Sequence, residues 1–258
     1  MSDGELLYRV EDQIGCFTIN REAKRNSISL GVIELFFKHL DEAEADANVR
    51  AICITGAGDK AFCSGGDLGG SIKGGSPEET GFTYFAKLIQ RLASFPKPTV
   101  ARVNGACLAG GTGFMLACDI VIAADDAKFG TPEVNVGLWP MMIGALIFRN
   151  VLRKKAMEMI LLGEKLDASQ AMEMGLITRA VPRDQLDDEV GKVLKTLVSK
   201  SPIGMKIGKT AFYQTADMPF EEALRTLAER FTDLTKTEDA AEGIMAFVQK
   251  RAPEFKGK

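Results

Sequence analysis

The stretch from Lys97 to Pro140 carries the residues that are best placed to do chemistry. A strand-like run, Pro98 to Val103, leads into a glycine-rich turn from Gly105 to Gly113, and one carboxylate, Glu133, follows in an otherwise apolar loop. Backbone amides in a glycine turn can hold a negatively charged oxygen, because no side chain blocks its approach. A single carboxylate beside them can move a proton. The stretch therefore predicts a site for proton transfer next to a stabilised oxyanion.

The predicted elements around this stretch include both strands and helices. Two short strands, Leu6 to Val10 and Ile14 to Asn20, flank an Asp12–Gln13 turn, and further strands are predicted to start near residues 50, 98 and 119. Ser29 is expected to cap the helix that follows the second strand. From residue 184 onward the sequence predicts amphipathic helices alone, at roughly 184–199, 202–215, 219–234 and 238–250.

The chain is expected to divide into two regions. Residues 1–196 form a mixed α/β core that carries the site, and residues 197–258 form a helical C-terminal region. Apolar residues make up 46% of the chain, which is enough for a sizeable core. Because the helices of the C-terminal region have apolar faces and follow a complete core, we expect this region to form contacts between subunits.

The composition argues against several classes of function. A net charge of −3 is opposite to the basic bias of a general nucleic-acid surface. No apolar run approaches the ~20 residues that span a bilayer, and no secretory signal is expected. The five cysteines are scattered without a CxxC pair, which favours reduced thiols in a cytoplasmic protein over disulfides or a metal site. His39 is the only histidine and no GxSxG motif occurs, so we expect no serine-hydrolase triad and a structural role for His39.

Three segments resemble, in order and spacing, the signature blocks of the crotonase superfamily, the enoyl-CoA hydratase/isomerase family. They are ITGAGDKAFCSGGDL, KPTVARVNGACLAGGTGFMLACD and AKFGTPEVNVGLWP, and the likeness extends through RKKAMEMILLGEKLDASQAMEMGLITRAVP to EFKGK. The resemblance implies an α/β, crotonase-like spiral of ββα units with an all-helical C-terminal region. It also implies a homotrimer or a hexamer built as a dimer of trimers. The implied substrate is an acyl-CoA thioester, with no further cofactor and no metal.

The same resemblance assigns roles to individual residues. The thioester oxygen would sit between the backbone amides of Gly66 and Gly110, and Glu133 would be the catalytic carboxylate. The positions that the family uses for coenzyme A correspond here to Lys24, Arg25, Ser64, Asp67 and Leu68, with Phe255 and Lys256 reaching the nucleotide from a neighbouring subunit.

The sequence departs from the hydratase pattern at two positions. Hydratases resembling this chain use two glutamates, and the first of them falls on Gly113 here, which has no side chain. The position eight residues after Glu133 is a water-holding glycine in hydratases and an aspartate in dienoyl-CoA isomerases, but it is Met141 in this chain. The apolar residues near these positions either line the acyl site or pack in the core; they are Phe114, Leu138, Trp139, Met141 and Met142.

One carboxylate in an apolar pocket suits the movement of one proton between carbons. Our first hypothesis is therefore isomerisation of a 3-enoyl-CoA to a trans-2-enoyl-CoA, through an enolate held in the oxyanion hole, with Glu133 as the single base. The alternatives are hydration of a 2-enoyl-CoA and a CoA-ester-binding protein with little catalysis. Gly113→Glu is the informative reverse experiment, because a gain in hydration would show that the missing glutamate was the limit. The sequence leaves open the acyl chain, for which 70–81 and 138–147 are the expected pocket segments.

Overall fold

The structure is a computed structural model that describes residues 4–67 and 80–258. The nine strands of these residues form two sheets of different size. The larger has six strands in the order β1-β2-β3-β5-β7-β9, and the smaller has three in the order β4-β6-β8. The strands are β1 (Leu6–Glu11), β2 (Ile14–Ile19), β3 (Ala51–Gly56), β4 (Ala61–Cys63), β5 (Thr99–Val103), β6 (Ala106–Leu108), β7 (Ile120–Ala124), β8 (Phe129–Gly130) and β9 (Arg179–Val181).

Helices cover the larger sheet and make up the C-terminal part of the chain. In the described residues they are α1 (Leu30–Ala45), α2 (Gly81–Ala93), α3 (Gly110–Leu116), α4 (Met141–Asn150), α5 (Arg153–Leu162), α6 (Ala168–Glu173), α7 (Leu186–Val198), α8 (Pro202–Thr215), α9 (Phe220–Thr235) and α10 (Glu238–Gln249). Single 3₁₀ turns lie at Glu22–Lys24, Pro132–Val136 and Arg183–Gln185.

The N-terminal hairpin is the antiparallel edge of the larger sheet. Strands β1 and β2 pair in register from Leu6↔Ile19 to Glu11↔Ile14. Asp12 and Gln13 both have positive φ, 48° and 67°, as the two central residues of a type I′ hairpin turn require. The hairpin predicted from the sequence is therefore confirmed, with its turn at the predicted residues.

The interior strands of the larger sheet are parallel and buried on both faces. β3 pairs with β5, and β5 with β7, in parallel register. On one face α7 packs against this part of the sheet through Leu186, Val190 and Leu194. The opposite face belongs to the main core, which includes residues of α1, α2 and α3. Burial on both sides explains why these strands are almost continuously apolar.

The C-terminal helices agree closely with the sequence prediction. Ser201 caps α8, and its hydroxyl also donates to Asp239 at 2.7 Å. Asp239 is buried and accepts hydrogen bonds from the backbone N–H groups of Lys256 and Gly257, which holds the end of the chain against α10. The predicted division at residue 196 lies inside the last turn of α7. Within the described ranges, no helix is long and apolar enough to cross a membrane.

Candidate active site

The three loops of the site follow the three strands of the smaller sheet. β4 pairs with β6 and β6 with β8, all in parallel. Gly65 and Gly66 follow β4, Ala109 and Gly110 follow β6, and Glu133 follows β8 within three residues. Because the carboxyl ends of parallel strands meet at one edge of a sheet, this arrangement brings distant segments of the chain to one place.

The two glycine loops pack directly against each other. A Cβ built on Gly65 would lie 2.9 Å from Ala109 Cβ and 3.1 Å from Gly110 N, and a Cβ on Gly110 would lie 3.4 Å from Gly66 N. Gly65 also has φ of +101°, which side-chain-bearing residues rarely adopt. The backbones of the two loops are therefore adjacent only because glycine occupies these positions.

The backbone N–H groups of Gly66 and Gly110 are available as hydrogen-bond donors. Ile28 accepts from Asp67 N–H at 2.9 Å and donates to Gly65 C=O at 2.8 Å, so the intervening amide of Gly66 points away from Ile28. Gly110 opens α3, where first-turn amides have no partner within the helix. Across residues 4–67 and 80–258, neither N–H donates to a protein acceptor.

The residue before Gly110 is held in a strained conformation. Ala109 has φ of 52° and ψ of −130°, outside the regions that alanine normally occupies. Its N–H donates to Gly130 C=O at 2.9 Å, and its C=O accepts from Thr112 N–H at 2.9 Å. Backbone strain of this kind costs about 1–3 kcal/mol and persists where the surroundings enforce it, commonly at functional sites.

Glu133 places a half-buried carboxylate in the same cavity. It lies in the 3₁₀ turn Pro132–Val136, where Leu138 N–H caps its carbonyl at 3.0 Å. Its Oε2 atom is buried and accepts no hydrogen bond from the described residues. Burial raises the pKa of the Glu133 carboxyl above its ordinary value. A carboxylate that is poorly solvated is a stronger base than an exposed one.

The cavity that joins these groups has a volume of about 960 Å³. Its walls are mostly apolar and come from α1, α2, the loops of the small sheet and α4. The lining residues are Ile28, Ile33, Ser64, Gly66, Gly81, Phe82, Phe85, Ala109, Gly110, Pro132, Glu133, Asn135, Val136, Gly137, Leu138, Trp139, Pro140, Met141, Met142 and Ile143. Glu133 is the only ionisable residue among these described lining residues.

The sequence predicted much of this lining but not all of it. Four of the five predicted apolar residues line the cavity, whereas Phe114 is fully buried and packs edge-on against Phe36 at 4.9 Å. Phe114 belongs to the core, because α3 turns that side toward α1. Phe82 and Phe85 of α2 also line the cavity, which the sequence did not predict. The apolar spacing of this segment indicates only that one face of a helix is buried.

The glycine at the position of the missing glutamate does not line the cavity. Gly113 is buried in α3, and the side chain of Ile143 covers it. Met141, at the second departure from the hydratase pattern, does line the cavity and is 71% exposed at its rim. At the first departure the apolar side chain of Ile143 covers a glycine, and at the second a methionine side chain stands where hydratases have a glycine, so neither position supplies a polar side chain.

The predicted coenzyme A residues of the N-terminal half lie together beside the Gly66 loop. Ser64 lines the cavity, and its N–H donates to Arg25 C=O at 3.1 Å. The Ser64 hydroxyl donates to Lys24 C=O at 3.4 Å, and the side chains of Lys24 and Arg25 are exposed. Leu68 lies outside the described residues, as does most of the predicted pocket segment 70–81.

Arg21 links this group to the Gly66 loop. Its guanidinium binds Asp67 at 2.8 Å, Glu5 at 2.7 Å and Ser27 C=O at 2.7 Å, and the Arg21 side chain is only 12% exposed. Asp67 directly follows Gly66, so this ion pair holds the loop that carries the Gly66 amide. The sequence gave no sign of the ion pairs, because Asp67 and Glu5 are distant from Arg21 along the chain.

The predicted C-terminal residues do not reach the cavity of their own chain. Phe255 C=O accepts from Arg50 at 3.0 Å, and its ring packs against Gly243 of α10. Lys256 N–H donates to Asp239 at 2.7 Å. A contact between these residues and bound nucleotide therefore requires another subunit and stays a prediction.

His39 lies away from the cavity. Its ring stacks on Tyr8 at a centroid distance of 4.9 Å, and its Nδ1 is 2.7 Å from Glu42. The structural role expected for His39 is consistent with these contacts.

The fold and the site define a class of α/β protein in which two loop amides and one half-buried carboxylate line the same apolar cavity. The family described as enoyl-CoA hydratase/isomerase matches residues 9–258, and the chain belongs to this family, within the crotonase superfamily. The chain is thus an enzyme of the enoyl-CoA hydratase/isomerase family.

Relatives of known name agree over nearly the full length. The 2,3-dehydroadipyl-CoA hydratase of Escherichia coli (strain K12) is 32% identical over 255 residues, covering 98% of this chain and 99% of that protein. A probable enoyl-CoA hydratase of Bacillus subtilis (strain 168) is 36% identical over 236 residues, covering 90% and 91%. The crystal structure of an enoyl-CoA hydratase from Mycobacterium smegmatis superposes with a TM-score of 0.93 at 31% identity, covering 97% and 98%.

Proposed function

We propose that the enzyme moves the double bond of a 3-enoyl-CoA to give the trans-2-enoyl-CoA. The observation that carries this proposal is that Glu133 is the only ionisable residue among the described residues of the cavity wall. A double-bond shift needs one group that removes a proton and returns it two carbons away. Hydration needs in addition a group that holds and activates water.

In the proposed reaction Glu133 takes a proton from C2 of the acyl chain. The electron pair of that C–H bond forms the C2=C1 bond of a dienolate, and the thioester oxygen gains the negative charge. Collapse of the dienolate makes the C2=C3 bond, and the C3=C4 electrons take the proton back from Glu133 at C4. No atom is gained or lost, and no step uses a metal ion or a redox cofactor.

The amides of Gly66 and Gly110 are proposed to hold the thioester oxygen while it carries this charge. Neither N–H donates to a protein acceptor in the described chain, so no existing hydrogen bond has to break before the thioester oxygen binds. One preorganised donor of this kind typically lowers a barrier by ~2.7–4 kcal/mol. The strained backbone at Ala109 supports the same role, because it fixes the direction of the following amide.

Coenzyme A is proposed to lie along the N-terminal side of the cavity. Ser64 at the wall and the exposed cations Lys24 and Arg25 beside it suit a phosphorylated carrier. Asp67 and Leu68 belong to the same proposed nucleotide-binding loop. Phe255 and Lys256 are proposed to contact the coenzyme A that a neighbouring subunit binds.

We propose a homotrimer or a dimer of trimers in a cytoplasmic setting. Helices α8, α9 and α10 expose large apolar side chains, including Phe212, Phe220 and Phe247, the last at 85%. Such patches mark subunit contacts on proteins of this size.

Sedimentation velocity at micromolar concentration tests the assembly, and a trimer or a hexamer is expected. A monomer would contradict the assembly.

Hydration of a 2-enoyl-CoA is the second candidate, because relatives at 32% and 36% identity carry the name hydratase. It requires Glu133 to act on water without a second ionisable group in the described wall. A CoA-ester-binding protein with little catalysis is the third, and a half-buried carboxylate with a raised pKa argues against it.

Two substrates separate these three candidates. With 3-hexenoyl-CoA, isomerisation creates a conjugated thioester, so its ultraviolet absorbance rises. With crotonyl-CoA, hydration destroys the conjugation and the absorbance falls. We expect the rise with 3-hexenoyl-CoA to exceed the fall with crotonyl-CoA at least about tenfold in kcat/KM. The opposite ratio would establish hydration, and tight binding of both without turnover would establish the binding protein.

Replacing the base isolates its contribution. Glu133→Gln keeps the shape of the side chain and removes its basicity, so turnover of 3-hexenoyl-CoA should fall by about 10²–10⁴-fold. Glu158→Gln, at an exposed glutamate of α5, is the matched control and should leave turnover unchanged. Retention of activity within a few-fold in Glu133→Gln would show that another group moves the proton.

The raised pKa of Glu133 predicts the pH dependence. The active form is the carboxylate, which is lost as the pH falls through this raised pKa. The acidic limb of kcat/KM should therefore lie above pH ~4.3, the ordinary value for a glutamate. The measurement is a pH profile of 3-hexenoyl-CoA isomerisation, with thermal melting at each pH to exclude unfolding. An acidic limb at or below the ordinary value would contradict the burial of the working carboxylate.

A further inference from the structure

Helices α3 and α4 are in tight contact at Gly113 and Ile143. A Cβ built on Gly113 would overlap Ile143 Cγ2 and would lie 2.5 Å from Ile143 Cβ and 3.3 Å from Ile143 Cα. Real Cβ atoms do not approach other atoms within 3.0 Å. No residue larger than glycine fits at position 113 while Ile143 keeps its side chain.

The contact lies next to the oxyanion loop. Gly113 follows Gly110 by three residues, and side chains three apart share one face of a helix and lean toward its N-terminus. A side chain at position 113 would therefore project beside the Gly110 amide. Ile143 takes up that volume, since it lines the cavity together with Gly110 while Gly113 does not. It is only 2% exposed.

We propose that Ile143 is a specificity-determining residue that, paired with Gly113, restricts this site to double-bond migration. This inference rests on the proposed isomerisation. Hydration forms a C3–O bond and a C2–H bond from one water molecule, and it needs a polar group that orients this water and takes its proton. Ile143 fills the place of such a group with a side chain that neither donates nor accepts hydrogen bonds. The reacting carbons are thereby left with Glu133 alone.

The pairing predicts that Gly113→Glu on its own would not be enough to add hydration. On its own this substitution forces a side chain into Ile143, and overpacking of a buried site destabilises a protein. Ile143→Ala does not remove the conflict, because its Cβ remains 2.5 Å away. Only Ile143→Gly leaves a contact, at 3.3 Å from Cα, that small movements can relieve.

The test is a cycle of Gly113→Glu, Ile143→Gly and the double variant, in the full-length protein. Gly113→Glu alone should lower the Tm by about 5 °C or more. The double variant should melt higher than the sum of the two single shifts predicts. It should also hydrate crotonyl-CoA at least tenfold faster than the wild type, with a larger ratio of hydration to isomerisation. Gly113→Gln/Ile143→Gly has the same volume without the carboxylate and should not gain hydration.

Each outcome supports or overturns a separate part of the inference. A Gly113→Glu variant as stable as the wild type, or additive Tm shifts, would overturn the steric pairing. Equal hydration by the Glu and Gln double variants would overturn the role in reaction choice. If the wild type does not isomerise 3-hexenoyl-CoA, the proposed function fails, while the Tm cycle still measures the pairing.

A single variant keeps the inference testable if the double variant does not fold. Ile143→Glu leaves Gly113 in place and puts a carboxylate in the volume that Ile143 fills, so its ratio of crotonyl-CoA hydration to 3-hexenoyl-CoA isomerisation should rise at least threefold, whereas Ile143→Gln should not raise this ratio. An unchanged ratio in Ile143→Glu would overturn the role of Ile143.

Discussion

The small parallel sheet is the constraint on which the site depends. Its strands are two or three residues long, yet their carboxyl ends carry both glycine loops and Glu133. Gly130 at the end of β8 accepts from the Ala109 N–H and from the Thr112 hydroxyl, each at 2.9 Å, so the third strand also holds the loop of the second. These hydrogen bonds, one from the backbone and one from a short side chain, thus hold the Gly110 loop next to the segment that carries Glu133.

The apolar wall of the cavity strengthens the electrostatic interactions of these few polar groups. Hydrogen bonds and charges act through a lower effective dielectric constant beside apolar side chains, so an amide pair there would stabilise the enolate of the proposed reaction more than it would at the surface. Burial against the same wall raises the pKa of Glu133, and no described residue donates a hydrogen bond to its Oε2. Arg21 and its ion pair with Asp67 fix the Gly66 loop from outside the wall, at a distance from the reacting atoms.

The sequence predicted most of the larger elements because their periodicity is strong. The hairpin, the strands of the larger sheet and the four C-terminal helices appear within a few residues of their predicted bounds. The resemblance to the family also pointed to Gly66, Gly110 and Glu133, which the structure places around one cavity. All three strands of the smaller sheet, β4, β6 and β8, were missed, because strands of two or three residues are too short to show a periodic pattern.

What the sequence could not predict depends on contacts between distant segments. The sequence showed that Gly113 stands where hydratases have a glutamate. It did not show that Gly113 contacts Ile143, because this contact depends on how closely α3 and α4 approach each other. The sequence placed Phe114 in one group with Trp139 and Met141, as apolar residues of the acyl site or the core. The structure places Phe114 in the core. These differences follow from tertiary packing, which no local pattern encodes.

The origin of the hydrogen that arrives at C4 tests the central claim most directly. The enzyme would be given 3-hexenoyl-CoA dideuterated at C2, in ordinary water, and the product analysed by NMR. One carboxylate that carries the proton across an apolar cavity predicts deuterium at C4 well above background, with no oxygen added. Product with only solvent hydrogen at C4, or a 3-hydroxyacyl-CoA as the main product, would contradict the account.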